Sequence, residues 1–462
     1  MPDFDPLIKK ISDYVQTYRA KDESLQEAKT CFFDSIACAF MALEHDQVKK
    51  FIEIDYIKNS QGSVRVIGTD LKTNALDATF LNGALIRWLD FNDTWLAKEW
   101  GHPSDNLSII LALVDYLKNH RSTSLNFKEI LNYMVMAHEI QGALAIENSL
   151  NKEGLDHVAL VKIASASVGA KMLGHKDHQI KAVISNAFID GQSLRTYRHF
   201  PNTGARKSWA AGDASAKALK QVFISEVSNE SYSTVLSAKN WGFNDVLMGK
   251  NPLKLERDLG SYVMDNILYK VSFPAEFHAQ TAAEAAISLS SEIKGKIQDI
   301  KEIKIHTQEP GVRIISKKGP LNNYADRDHC IEYIVAWCLL NGNLNSNSYS
   351  DISASDKNID KLRDLTNTVE DQAYTEKYYD LDERAIPNRV IVTMKTGEVF
   401  EKEVIYPLGH KNRRAESLPF LKGKFQNSIE NLNIKSDELM KFYDEKNLDS
   451  INIYDLLNCI YK

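Results

Sequence analysis

The first 265 residues carry apolar side chains at spacings of three and four, the repeat of an α-helix that buries one face. The same spacing recurs over 126–144, 157–173 and 178–190, and Asp156 is placed to cap the helix that starts near 157. This pattern predicts a large all-helical domain over residues 1–265. In the segment 24–45 the apolar positions are Leu25, Ala28, Phe32, Ile36, Ala39 and Leu43.

From residue 266 onward the pattern changes to short alternating segments between helices. Ile300, Ile303 and Ile305 in DIKEIKIHTQ indicate a half-buried strand, and residues 388–404 alternate on both sides of a Lys-Thr-Gly turn, which predicts a hairpin. We expect a smaller α+β domain over 266–404, with a loop at 341–351. The helical C-terminal segment 405–462 is expected to pack back on the first domain, so the fold class is mainly α.

Composition excludes several function classes. Charged residues make up 26% of the 462 residues and the net charge is only -6, which lacks the basic surface typical of nucleic-acid binders. The N-terminus has no basic-then-apolar signal, and no segment approaches the roughly 18 apolar residues of a membrane span. We therefore expect a soluble cytoplasmic protein that binds neither nucleic acid nor membrane.

The five cysteines indicate buried thiols rather than a cofactor site. They form no C-x-x-C pair, whereas an iron–sulfur cluster needs three or four convergent thiolates. Cys31 and Cys38 lie two helical turns apart in an apolar pattern, and an odd count favours reduced thiols. We expect neither a metal nor an iron–sulfur cofactor. The other three are Cys330, Cys338 and Cys459.

Four groups of polar segments interrupt this scaffold and contain the candidate functional residues. They are DFNDTWLAKEWGHPSDN (90–106), GLDHVALVK (154–162), RTYRHFPNTGARKSWAAGDA (195–214), and the pair YKVSFPAEFHAQ (269–280) and NNYADRDHC (322–330). The candidates are Asp90, Thr94, His102, His157, Arg206, Lys207, Lys270, His278, Tyr324 and Arg327.

Each segment also has a purely structural interpretation. The residues around Asp93 and Ser104 could cap a helix, since Asp and Ser are strong N-cap residues. His157 could be a satisfied histidine beside its capping Asp, and the basic segment 195–207 could be a solvated face. Lys270 and His278 could be packed in the core beside Phe273 and an alanine-rich helix face.

Motif absences narrow the chemistry. The chain has no H-E-x-x-H metal motif, no G-x-G-x-x-G or P-loop glycine pattern, and no G-x-S-x-G nucleophile elbow. The remaining histidines, carboxylates and cations suit acid–base chemistry on a small polyanion, in which cations hold carboxylates and His or Asp moves protons. No nucleotide cofactor is expected.

These segments together resemble the MmgE/PrpD family, specifically its iron–sulfur-independent 2-methylcitrate dehydratase branch. The resemblance is carried by D-F-x-D-T-W with G-H-P-S-D, by GLDHVALVK, by RKSWAAGD, by FPAEFHAQ and by NNYADRDHC, which follow in this order within residues 81–333. It implies a helical domain with a smaller α+β lid, a homodimer, a tricarboxylate substrate, and a reaction without metal or redox cofactor.

The resemblance also implies which residues act. The family's active-site positions correspond to Asp90, Thr94, His102, His157, Lys207, Lys270 and His278. We expect an Asp90–His102 unit at one face of the substrate and His157 at the other, with acid and base left unassigned between them. Lys207, Arg206 and Lys270 would supply positive charge, and Tyr324 and Arg327 would bind substrate. Many relatives carry His at position 87 and Asp at position 92, where this chain has Arg87 and Asn92.

Two other functions remain open at this point. A cis-aconitate decarboxylase of the same family would use similar residues to release CO₂. A non-catalytic tricarboxylate-binding protein would keep the fold but lose catalytic positions, and this chain retains all seven. The segments RKSWAAGD and NNYADRDHC favour the dehydratase.

Overall fold

A computed structural model describes residues 3–189, 192–199, 201–228, 230–249, 251–430 and 432–462. It divides into two compact units. The first consists of Met1–Tyr197, Arg206–Ile267 and Leu421–Lys462, and the second of Arg198–Ala205 and Leu268–Phe420. The domain boundary expected after residue 404 lies instead between Phe420 and Leu421, within the helix Arg414–Ile429 that contains Pro419. The segment Arg198–Ala205, expected in the first domain, belongs to the second unit.

The first unit is built almost entirely of helices, which confirms the mainly α class. Local hydrogen bonds stabilise helix starts: Asn126 and Glu129 form a reciprocal capping box. Asp156 was expected to cap the helix Val158–Met172, but the N-cap residue is His157, and Asp156, one residue earlier, accepts the Val158 N–H at 3.2 Å. No helix among the described residues is both long and apolar enough to cross a membrane. The main helices are Pro6–Thr17, Asp22–Ala42, Asp46–Ile52, Ala75–Arg87, Leu107–Arg121, Phe127–Glu147, Val158–Met172, Asp177–Ile189, Arg206–Ile224, Ser436–Asp444 and Ile453–Ile460.

The helices Ala75–Arg87 and Arg206–Ile224 cross in close contact because each has a glycine at the crossing point. A Cβ added at Gly83 would lie 2.5 Å from the Gly212 Cα, and one added at Gly212 would lie 2.4 Å from the Phe80 carbonyl oxygen. Ser208 Oγ donates to the Trp88 carbonyl at 3.1 Å. This crossing therefore places the start of the second helix beside the end of the first.

The variant Gly212→Ala is expected to lower the free energy of unfolding by about 1–3 kcal/mol, the usual cost of overpacking. The obstacle is backbone, which cannot rotate away as a side chain can. Urea unfolding measures the loss. Gly423→Ala is the matched control, because a Cβ at that helical glycine meets nothing within 4 Å. Equal stability of the two variants would contradict the crossing geometry.

The second unit contains a four-stranded sheet with helices packed on it. Its strand order is Thr366–Glu370, Ile300–Thr307, Asn388–Met394 and Val399–Val404. The first pair is parallel and the other two pairs are antiparallel. The predicted strand at 300–307 and the predicted hairpin are both confirmed, with Gly397 in the turn at φ 90°.

The core of the second unit lies between this sheet and the helices Gln280–Ile293 and Ile331–Asn341. The predicted loop at 341–351 is wrong in part. Residues Ser346–Tyr349 form a 3₁₀ turn, because Asn345 and Ser348 make a capping box that satisfies its first N–H groups. The shorter helices of this unit are Glu309–Ile315, Tyr324–Arg327, Asp351–Ala354, Lys357–Asp364 and Gln372–Tyr379.

Candidate active site

The segment 90–106 forms a small hairpin that sequence patterns did not predict. Trp95–Leu96 pairs antiparallel with Trp100–Gly101, with Trp95 opposite Gly101. Thr94 precedes the first strand and His102 follows the second, so the two side chains meet at the open end, with Thr94 Oγ1 3.4 Å from His102 Nδ1. Strands of two residues are too short to show a period of two.

His102 has one ring nitrogen fixed by the hairpin. Its Nδ1 lies 2.6 Å from the main-chain carbonyl oxygen of Asp93. A carbonyl can only accept, so Nδ1 carries a proton in this contact. The other nitrogen, Nε2, lies 3.7 Å from Asp90 Oδ1. In the neutral ring, Nε2 therefore has a lone pair able to accept a proton next to a carboxylate.

Asp90 is a buried residue in a strained backbone conformation. Its φ is 51°, in the left-handed region that costs a non-glycine residue about 1–2 kcal/mol. The side chain forms an ion pair with Arg87, one turn earlier at the end of the helix Ala75–Arg87. Strain of this kind clusters at functional sites, where the surrounding structure holds it. Arg87 was noted from sequence only as a departure from relatives, and the structure makes it the partner of Asp90.

His157 lies beside His102 at the start of the helix Val158–Met172. The two ring centroids are 5.9 Å apart at an interplanar angle of 64°, and His157 Nδ1 lies 3.4 Å from Asp156 Oδ1. Gly101 permits this approach, since a Cβ there would lie 3.1 Å from a ring carbon of His157. Two buried imidazoles and the Asp90 carboxylate thus converge from three separate segments.

Lys207 and Arg206 begin the helix Arg206–Ile224 and differ in their surroundings. Lys207 is 5% exposed and lies next to Ser208, whose hydroxyl binds the Trp88 carbonyl near Asp90. The Arg206 guanidinium lies 4.3 Å from the Trp209 ring and 3.5 Å from the Asp213 carboxylate. Lys207 is therefore the buried cation of this pair, and the substrate-binding role of Arg206 stays a prediction.

In the second unit, His278 belongs to a buried hydrogen-bonded group. Its Nδ1 lies 2.8 Å from Glu276 Oε1 and its Nε2 lies 3.2 Å from the Tyr378 hydroxyl. Burial alone would raise the pKa of Glu276, but His278, His329 and Lys270 outweigh it, and the pKa lies below its ordinary value. Lys270, 1% exposed, is thus close to an ionised carboxylate.

Tyr324 and Arg327 lie on a short helix of the second unit and contact the 3₁₀ turn at 346–349. The Arg327 Nη1 donates to the Tyr349 carbonyl at 2.8 Å and to the Asp351 carboxylate at 2.7 Å. The Tyr324 ring meets the Tyr349 ring edge-on, with centroids 5.1 Å apart. These contacts give both residues a structural role, and their substrate-binding role stays a prediction.

The cysteines are buried and free, and their environment disfavours thiolate chemistry. Burial raises the pKa of Cys31 well above its ordinary value and that of Cys330 to about 12. Cys31, Asp93 and His138 bring three potential ligand atoms within 4.8 Å of one another. Any ion bound there would need the Cys31 thiolate that burial opposes.

Sequence patterns missed Glu99, a fully buried carboxyl in the turn of the hairpin. Its Oε2 accepts the Asn151 N–H at 2.7 Å and the Asn151 amide at 2.8 Å, which ties the hairpin to the segment that precedes His157. Burial raises the pKa of Glu99 to about 7, although Arg195 and Asn151 oppose the shift. No local pattern distinguishes this Glu from the exposed Lys98 beside it.

Glu99 is expected to make stability fall as pH rises from about 4.5 to about 7. The folded state binds a proton in this window that the unfolded chain has already released, so the loss reaches about 3 kcal/mol and persists above pH 7. Glu99→Gln should remove this component. Urea unfolding at pH 5 and pH 8 of both proteins measures it, and an identical pH dependence in the two would contradict the buried acid.

Comparison with known proteins supports the resemblance inferred from sequence. The model of the MmgE/PrpD N-terminal domain matches residues 9–256, and that of the MmgE/PrpD C-terminal domain matches residues 273–444. The chain is 48% identical to the 2-methylcitrate dehydratase of Escherichia coli, over 92% of this chain and 90% of that protein. It is 46% identical to the mitochondrial 2-methylcitrate dehydratase of Yarrowia lipolytica, over 98% and 89%. It is 44% identical to the probable 2-methylcitrate dehydratase of Saccharomyces cerevisiae, over 98% and 92%.

Proposed function

The chain belongs to the MmgE/PrpD family, and on that premise we propose that it is a 2-methylcitrate dehydratase, a hydro-lyase that forms 2-methyl-cis-aconitate. Relatives that carry this name match nearly the whole chain at 44–48% identity. The structural observation that supports the proposal is the convergence of Asp90, His102 and His157 within one unit. These residue types suit a proton transfer from carbon next to a carboxylate.

The dehydration breaks two bonds and forms one double bond. A base removes the proton α to a carboxylate, the electron pair forms the C=C bond, and hydroxide leaves the neighbouring carbon with a proton from an acid. His102 Nε2 has the lone pair to act as base, with Asp90 beside it to stabilise the imidazolium that results. His157, whose ring centroid lies 5.9 Å from that of His102, would protonate the leaving hydroxide when it carries its second proton.

The carbanion-like transition state carries extra negative charge on the α carboxylate, which favours a fixed cation close to it. Lys207 is a buried cation of the first unit, and we propose it for this role. Arg206 would support substrate binding. We also propose Lys270 as a catalytic cation, and His278, Tyr324, Arg327 and Thr94 as substrate-binding residues. These roles rest on the family resemblance.

The experiment that tests this function is a turnover assay on the purified protein with resolved 2-methylcitrate isomers. We expect an unsaturated tricarboxylate to form, detected by ultraviolet absorbance and identified by mass spectrometry, in the presence of a chelator and air. Cis-aconitate is offered in parallel. Release of CO₂ from cis-aconitate without dehydration of 2-methylcitrate would assign the decarboxylase instead, and binding of either acid without turnover would indicate a non-catalytic protein.

We propose that the enzyme acts as a homodimer, as the family resemblance implies, and that it acts in the cytoplasm, as expected from the sequence patterns. One relative is named as a mitochondrial protein, so the compartment depends on the host. Light scattering measures the mass against the 52.3 kDa of one chain, and fractionation of cells measures the compartment.

A further inference from the structure

A buried cluster lies directly behind the hairpin that carries Thr94 and His102. Its members Cys31, Asp93 and His138 all have fully buried side chains. Asp93 is the residue whose main-chain carbonyl accepts the His102 Nδ1–H at 2.6 Å. The chemistry proposed above uses none of the three side chains, yet the main chain of Asp93 is joined to the reacting histidine by a hydrogen bond.

The hydrogen bonds of His138 determine where its first proton lies. Nδ1 is 2.8 Å from the carbonyl oxygen of Met134, one turn earlier on the same helix. A carbonyl cannot donate, so Nδ1 carries the proton. Nε2 then faces Asp93 Oδ2 at 2.9 Å.

The contacts of Asp93 suit a carboxylate, because both oxygens face hydrogen-bond donors. Oδ1 accepts the Ser104 hydroxyl at 2.6 Å, and both oxygens lie 3.2 Å from the Ser104 N–H. If Nε2 of His138 had no proton, its lone pair would face a lone pair of Asp93 Oδ2 at 2.9 Å, and both side chains are fully buried. Such a contact is repulsive, so a proton or a metal ion must lie between Nε2 and Oδ2.

The distances favour the proton. A separation of 2.9 Å is that of an N–H···O hydrogen bond, whereas tetrahedral coordination at ordinary bond lengths would hold the N and O ligands about 3.3 Å apart. Cys31 Sγ lies 3.5 Å from Nε2 and 3.7 Å from Oδ2. These distances suit a protonated thiol in long contact with both groups.

We propose that Asp93 and His138 form a buried carboxylate–imidazolium pair that positions His102. The pair and Ser104 together fix the Asp93 side chain, and through it the direction of the Asp93 carbonyl. That carbonyl holds the His102 Nδ1–H and so directs Nε2 toward Asp90. Asp93 and His138 are therefore positioning residues. The inference rests on the proposed function only where it predicts an effect on catalysis.

The first test needs no substrate. In the full-length protein with ¹⁵N-labelled histidine, we expect protons on both ring nitrogens of His138, with its signals assigned by their loss in His138→Gln. His102 should show the single-proton Nδ1–H form in mildly alkaline buffer. An unprotonated nitrogen on His138, or a metal ion at one per chain by elemental analysis, would overturn the proposal even if the enzyme dehydrates 2-methylcitrate.

The second test separates positioning from folding. Asp93→Asn keeps the shape of the side chain and can donate to a neutral His138, so we expect His138 to lose one proton. We expect kcat to fall about 10- to 100-fold, because the main-chain carbonyl that positions His102 is held less firmly without the charged pair. KM should change less than about threefold, since substrate contacts remain. An unchanged kcat, or an unchanged His138 spectrum, in a folded Asp93→Asn protein would overturn the positioning role.

Matched variants distinguish the pair from a metal site and from general packing. Cys31→Ala should keep the His138 spectrum and kcat, as should Cys38→Ala two turns along the same helix. If the His138 signals were lost in Cys31→Ala but kept in Cys38→Ala, Cys31 would be a metal ligand and the proposal would be overturned. His138→Gln, which retains a donor toward Asp93, should keep more activity than His138→Leu, and equal activity of these two would likewise overturn it.

Discussion

Replacing His102 by alanine is expected to lower kcat by about 10²- to 10⁴-fold, the range for loss of a general acid–base group. The variant removes the nitrogen that lies 3.7 Å from Asp90 and the ring that meets His157. The fold should persist, because Trp95 and the Asp93 side chain anchor the same segment through hydrogen bonds that do not involve His102. Steady-state turnover of 2-methylcitrate measures the effect.

His120→Ala is the matched control for this loss. His120 is exposed, stacks on Tyr116 and lies 2.9 Å from the Ser63 hydroxyl. The His120→Ala enzyme should retain full turnover. A His102→Ala enzyme that works within a few-fold of the unmodified protein, while remaining folded by circular dichroism, would remove His102 from the catalytic set.

Lys424→Met is expected to lower the free energy of unfolding by about 3–5 kcal/mol, because it breaks a buried ion pair. Lys424 Nζ donates to Asp34 Oδ1 and to the Phe91 carbonyl, each at 2.7 Å, and both charged side chains are almost fully buried. Burial alone would lower the pKa of Lys424, but Asp34 and Cys38 outweigh it, so the pKa lies above its ordinary value. Without the ammonium, the Asp34 carboxylate would stay buried and lose its ion pair with Lys424.

The helix Arg414–Ile429, which contains Lys424, also provides a control with equal chemistry and different burial. Lys422 pairs with Asp444 at 2.7 Å, but the two side chains are 40% and 54% exposed. Lys422→Met should therefore cost at most about 1 kcal/mol. The double variant Lys424→Met with Asp34→Leu should recover much of the loss, since it removes both charges. Urea unfolding separates these cases, and equal costs for Lys424→Met and Lys422→Met would show that burial does not decide the difference.

Lys424 should also influence turnover. It holds the Phe91 carbonyl, and Phe91 follows the strained residue Asp90. Part of the support for the left-handed turn thus comes from a side chain more than three hundred positions away in the chain. We expect Lys424→Met to lower kcat more than Lys422→Met in protein that remains folded.

The elements predicted well from sequence were those whose pattern is long or locally unambiguous. The helices of the first unit carry the three–four spacing over several turns, and the hairpin around Gly397 combines alternation with a glycine at positive φ. The hairpin at 95–101 was missed because each strand has two residues. The Asp93–His138 contact was missed because each residue has a credible local role, one as a cap and one as part of an apolar helix.

The sequence by itself determined the helical class, the α+β segment and the set of titratable residues from which a site can be built. Those properties follow from local spacing and from residue chemistry, which do not need distant contacts. Only the tertiary structure decided which groups are charged or protonated, such as the ion pair of Lys424 and the raised pKa of Glu99. The reason is electrostatic: burial and neighbouring charges set these states, and both depend on residues that the fold brings together from distant parts of the chain.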